Sequence, residues 1–154
     1  MIQVRPATRG DVAAMVAIAA ARRERLETYQ PQFWRRRPDA EKVQAAFFEH
    51  LFENDDTYTL VATDNDTVVG FVIARLEPAP PVYDPGGPAC TIDDFGADNV
   101  TTARELLVGV RRWATKRGAT QLVVIAAHGD QTTRALLEDE GLTLASEWWV
   151  QPLH

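Results

Sequence analysis

The chain has one cysteine, Cys90, so no disulfide can form within it, and a reducing compartment is expected. Its three histidines and that cysteine fall at no metal-ligand spacing, and no metal is expected. Long apolar runs are missing too. Nothing approaches the roughly 20 residues of a membrane-spanning helix, and MIQVRPAT lacks the basic-then-apolar layout of a signal peptide, so the expected location is the cytoplasm, away from membranes. Positive charge is scarce: 16 Lys and Arg face 22 Asp and Glu, for a net charge of −6, which argues against a nucleic-acid binder. There is neither a G-x-S-x-G elbow nor a P-loop lysine, so two common catalytic frameworks are excluded. Without repeats, low-complexity tracts or a linker, residues 1–154 read as one domain, long enough to bury roughly 70% of its unfolded surface.

What is present is periodic. Ile2 to Pro6 alternates as a half-buried strand, and Thr8 with Asp11 forms a capping-box pattern. The alanine-rich stretch that follows carries an apolar stripe through Val12, Met15, Ile18 and Ala19, with Arg22, Arg23 and Arg25 at its outer end. Pro31 and Pro38 then break the helix, and Tyr29, Phe33 and Trp34 crowd between them, either as a hydrophobic plug under a loop or as a pocket wall. Arg35, Arg36 and Arg37 read as a solvated charge run or an attractor for an acidic ligand. Asp39 is placed to cap a second helix through Val43, Phe47, Leu51 and Phe52.

Tyr58–Thr63 and Val68–Leu76 read as a hairpin turned by Asp64, Asn65 and Asp66, with Gly70 marking a bulge or a close backbone approach. EPAPPVYDPGGP must be an exposed loop. The stretch from Cys90 to Ala119 predicts a buried strand, a short polar loop and a helix of about five turns, with Leu106, Leu107, Val110, Trp113 and Ala114 on one stripe and Gly118 as its terminator. A strand feeding directly into a helix start presents free N–H groups suited to a phosphate. QLVVIAA, from Gln121 to Ala127, is continuously apolar and predicts a strand covered on both faces. Asp130 caps a helix that ends at Gly141, and LTLASEWWVQPL reads as a last strand. The order is β-α-α-β-β-β-α-β-α-β, a mixed α/β (α+β) sheet with helices on both faces.

This order resembles the GCN5-related N-acetyltransferase (GNAT) superfamily. The opening IQVRPATRGDVAAM, the hairpin VATDNDTVVGFVIARL, the segment ARELLVGVRRWATKRGATQLVV and the close ALLEDEGLTLASEWWV carry the likeness across essentially the whole chain. The resemblance implies acetyl-CoA as co-substrate and a small-molecule or peptide amine as acceptor, joined by direct transfer in a ternary complex. It places the coenzyme along Phe95, Gly96, Ala97, Asn99, Val100, Thr101, Thr102, Ala103 and Arg104. The N–H groups near Phe95 to Ala97 would take the thioester carbonyl and the pantetheine arm.

Two departures accompany it. Aligned on Leu106 and Leu107, the family's pyrophosphate loop, R/Q-x-x-G-x-G/A, meets Asp98, Thr101 and Ala103, and only Ala103 fits; Arg104 would offset part of the repulsion from Asp98, and a gap in the loop would bring Asn99 or Val100 to these positions instead. The late-helix position where many members carry a proton-donating tyrosine holds Leu137. These departures motivate the alternative, a GNAT-like binding or interaction module that does not use acetyl-CoA.

Acyl transfer to an amine needs a base, a carbonyl-polarising N–H and correct orientation. Asp93 and Asp94, consecutive on the central strand, are the candidate catalytic residues, one as base and one structural, on opposite faces of the sheet. The candidate acceptor pocket comprises Tyr29, Phe33, Trp34, His128 and Trp148. His128 ends a strand where α/β sheets place ligand contacts, and Trp148 lies beside Glu147 and Trp149 on the last strand, which also offers an edge for a homodimer.

Overall fold

The computed structural model describes residues 1–153. Alternating residues at the start form β1 (Ile2–Pro6), which pairs antiparallel with β2 (Thr57–Asp64). β2 turns into β3 (Thr67–Glu77) through Asn65 and Asp66, both at positive φ (49° and 67°). Two consecutive left-handed residues make the hairpin turn whose twist matches that of its strands, as Asp and Asn at this spacing predicted. β3 pairs antiparallel with β4 (Ala89–Ala97), and β4 pairs parallel with β5 (Gln121–Val124), giving the order β1-β2-β3-β4-β5.

Each face of this sheet carries a helical layer. On one side α1 (Val12–Tyr29) and α2 (Ala40–Leu51) bury Met15, Ala19, Phe48 and Leu51 against Val61, Phe71 and Ile73. On the other, α3 (Val100–Lys116) and α4 (Gln131–Asp139) bury Leu106, Leu107, Val110, Ala114 and Leu136 against Leu60, Val72, Cys90 and Ile92. The α3 stripe is the one its spacing predicted, with Trp113 stacked on Tyr58 (4.9 Å between centroids) and Gly118 at φ 82° ending the helix. Gly70 is a site of close approach, since a Cβ there would lie 2.9 Å from Cγ2 of Thr102. The proline- and glycine-rich stretch between β3 and β4 is an irregular, largely exposed loop.

Three expectations are corrected. Asp39 makes no cap bond to α2, because its carboxylate is taken by the Arg37 guanidinium at 2.9 Å. β5 spans four residues rather than seven and is not covered on both faces: Leu122 and Val124 pack on the α3 side, whereas Val123 and Ile125 are over one-third exposed. Residues 142–153 form no strand, and Trp149 is 88% exposed. An extended segment is fixed only where an adjacent edge receives its N–H and C=O groups. Here β5 pairs with β4 alone, and Trp148 packs instead on Phe33, 5.8 Å between centroids.

Candidate active site

The site is built where β4 changes partners. Pairing with β5 runs only from Ala89↔Gln121 to Ile92↔Val124, so beyond Ile92 the edge of β4 facing β5 is open. On its other edge, Ile73 pairs with Asp94 and Ala74 with Ile92, leaving Asp93 as an extra, bulged residue. A bulge breaks the two-residue alternation. Asp93 and Asp94 therefore line the same cleft on the α1–α2 side, which corrects the expectation that they point to opposite faces. After the bulge, Phe95 packs with the α3 core, and Gly96 faces α1, where a Cβ would meet Cγ2 of Ile18 at 2.6 Å.

The two carboxylates have different surroundings. Asp93 lies 2.5 Å from an Arg75 Nη that neutralises it, while Arg75 also holds Glu77. Asp94 is mostly buried. Its oxygens have one long contact with Nη1 of Arg22 at 3.5 Å and one with Nε2 of Gln44, which donates at 3.3 Å. These do not replace lost hydration, and burial pushes the Asp94 carboxyl up from 3.8 to about 6. Burial also lowers the Arg22 guanidinium, so the pair is desolvated on both sides. A carboxyl near 6 is mostly ionised at neutral pH and matched to take a proton from an amine.

The cleft around Asp94 encloses about 330 Å³, with Arg23, Leu26, Trp34 and Phe47 completing its walls. Arg23 donates to Oε1 of Gln44, the amide that also donates to Asp94. Trp34 is the one residue of the candidate pocket set that lines this cleft. Phe33 stacks edge-on against it at 5.2 Å and carries Trp148 on its far side. Tyr29 packs under Gly129, where a Cβ would fall 3.1 Å from it; the neighbouring His128 is exposed, its carbonyl accepting from Arg134 at 3.1 Å. Sequence reasoning missed Arg22, Arg23, Gln44 and Phe47 as site residues. Arg22 extends the buried stripe three residues beyond Ala19 and seven beyond Met15, and that spacing marks it as inward-facing.

At the other end of the open β4 edge stands the start of α3. Asn99 caps it, its side chain accepting from the Thr102 N–H at 2.9 Å, and the Ala103 N–H bonds the Asn99 carbonyl. That leaves the N–H groups of Val100 and Thr101, which have no acceptor inside the helix. Thr102 and Ala103 are buried, and Thr102 Oγ1 has no partner among the described residues. Arg104 turns away to Glu140 (2.8 Å), so it does not stand guard over the exposed Asp98. Leu137 packs on the α3 core. The helix start thus offers a phosphate two open amides, without glycines or an arginine.

No protein-family model and no curated protein matches the sequence. Solved structures do. A predicted acetyltransferase from Clostridium acetobutylicum, solved with acetyl-CoA, superposes with a TM-score of 0.75 over 99% of this chain and 96% of its own, at 17% identity. The ribosomal-protein-alanine N-acetyltransferase from Brucella melitensis biovar Abortus 2308 gives 0.71 over 100% of both chains at 20% identity. An aminoglycoside antibiotic 6′-N-acetyltransferase from Acinetobacter haemolyticus gives 0.73 over 99% of both at 11% identity. The chain has the GNAT fold.

Proposed function

We propose that this protein is an N-acetyltransferase that moves an acetyl group from acetyl-CoA to a small-molecule or peptide amine by direct transfer in a ternary complex. The observation that carries this reading is the open edge of β4 with a desolvated carboxylate, Asp94, beside it. Acetyl-CoA would supply the acetyl group as a thioester. The Val100 and Thr101 N–H groups, at the positive end of the α3 dipole, would hold its phosphate. The edge of Phe95 to Ala97 that faces β5, open beyond Ile92, would polarise the carbonyl and line the arm. Asp94 accepts the proton that the ammonium must lose before its nitrogen can attack, and Trp34 and Phe47 orient the acceptor and exclude water. No tyrosine stands in α4 to protonate the departing thiolate, so that proton reaches it through solvent in the open cleft.

Calorimetric titration of acetyl-CoA into the protein tests the reading. Micromolar affinity is the expected result, and absence of heat at high ligand would sink it. Asp98→Arg should tighten that binding, because it exchanges a repelling carboxylate at the helix start for a cation.

A further inference from the structure

The molecule is acidic overall, yet residues 22–42 carry seven Lys and Arg against four Asp and Glu, while the rest of the chain carries nine against eighteen. The fold gathers this basic segment around the cleft. Beyond Arg23 the cleft continues into an open groove of about 810 Å³ between α1, the linker and α2, lined also by Arg35, Arg36, Arg37 and Lys42. Not all of this charge is available. Arg36 is held by Glu27 at 3.0 Å and Arg37 by Asp39 at 2.9 Å. Arg23, Arg35 and Lys42 have no carboxylate within 4.0 Å among the described residues, and Glu41 is the remaining acid lining the groove.

We infer that the acceptor is a small amine that also carries an anionic group, a carboxylate or a phosphate, with the amine at Asp94, its apolar body on Trp34 and Phe47, and the anion on Arg23 and the adjoining groove. This deepens the transferase reading and rests on it. The arrangement has a polarity: Asp94, touched only at 3.5 Å by Arg22 and 3.3 Å by Gln44, is the loosely held carboxylate that can meet the ammonium, because Asp93 is taken by Arg75 at 2.5 Å, and unpaired cations begin one side chain away. A guanidinium binds a carboxylate or phosphate through paired N–H donors, and its neighbour at Arg23 is a neutral amide rather than an acid. The same charge disfavours a polycation. An aminoglycoside, the acceptor named for one of the structural neighbours, would bring several ammonium groups against Arg22, Arg23, Arg35 and Lys42.

The experiment compares acceptors paired so that one member carries an anionic group the other lacks, phenylalanine against phenethylamine and phosphoethanolamine against ethanolamine, together with a polycationic aminoglycoside. Acetylation is followed by release of the coenzyme thiol. At least one amine bearing an anionic group should exceed its partner without that group roughly tenfold in kcat/KM, the two pairs distinguishing carboxylate from phosphate, and the aminoglycoside should be the poorest. Arg23→Gln, and separately the exposed Arg35→Gln, should shrink the ratio within the preferred pair. Equal rates within both pairs, or preference for the aminoglycoside, would overturn the inference while leaving the transferase reading intact. If acetyl-CoA gives no heat, the transferase reading fails, and direct calorimetric binding of phenylalanine and phosphoethanolamine to the free protein then decides: binding of either, weakened by Arg23→Gln, upholds the anion site, and no binding overturns it.

Discussion

Two corners of the molecule each bury an aspartate beside an arginine, and the two carboxyls shift in opposite directions. At the end of β1, Asp11 accepts from Arg5 at 2.8 and 3.0 Å and from the Thr8 N–H at 2.8 Å, and the Arg5 guanidinium above all holds it down to about 2. In the β4 cleft, Asp94 meets Arg22 at 3.5 Å and Gln44 at 3.3 Å, and burial raises it to about 6. Each has a cation beside it, but only Asp11 is hydrogen-bonded to its own. Asp11 has replaced its water with short, aimed donors, whereas Asp94 has lost its water without full replacement. The first arrangement fastens a strand to a helix start; the second leaves a carboxyl poorly solvated, as the base of the proposed transfer would be.

The largest effect that would break this comparison is on catalysis. Asp94→Asn should lower kcat by about a thousandfold, within the range for removing a general base, with no fall in the thermal midpoint. A parallel loss of stability and activity would make Asp94 a structural residue like Asp11. Asp11→Asn should do the reverse, costing about 1–2 kcal/mol in denaturant unfolding with activity per folded molecule unchanged; the lower range applies because the Arg5 side chain is 44% exposed and screened.

The pH dependence sharpens the contrast. Asp11 has a folded value below the ordinary 3.8, so its contribution is complete above about pH 4 and is lost as the pH falls towards 2. The stability gap between the protein and Asp11→Asn should close over that window. Asp94 has a folded value above 3.8, so the folded state binds the extra proton between about 4 and 6, and this group's contribution falls as the pH rises through that interval. If Asp94 is the base of the proposed transfer, activity should decline tenfold per unit below about pH 6. The smallest effect tests the Gln44 donor: Gln44→Leu removes a bond that favours the ionised form and should move that acidic limb upward by a few tenths of a pH unit. A limb that stays put would mean that Gln44 does not tune the base.

Much of this was legible in the residues. The DND turn, the α3 stripe and the Asp130 cap, whose carboxylate accepts from the Thr133 N–H at 3.1 Å, rest on contacts a few residues apart, so local spacing specifies them. The chain's resemblance to the GNAT superfamily came from the order of these units. The site was less legible. The bulge at Asp93 depends on how β3 and β4 register, and the cleft joins residues 22–47 to 93–94, which no local pattern relates. QLVVIAA, a strand only over Gln121–Val124, and LTLASEWWV misled for one reason: strand character describes a side chain's preference, while pairing is decided between segments far apart in the chain.

The sequence by itself determined the elements, their order and the acidic balance of the chain, because periodicity, capping and turn chemistry act between near neighbours. Only the tertiary structure decided which aspartate is desolvated, where β4 parts from β5, and that Arg22, Arg23, Arg35, Arg36 and Arg37 line one cleft and the groove beside it. Those outcomes depend on which distant groups replace water around a charge, and desolvation is a property of the packed molecule.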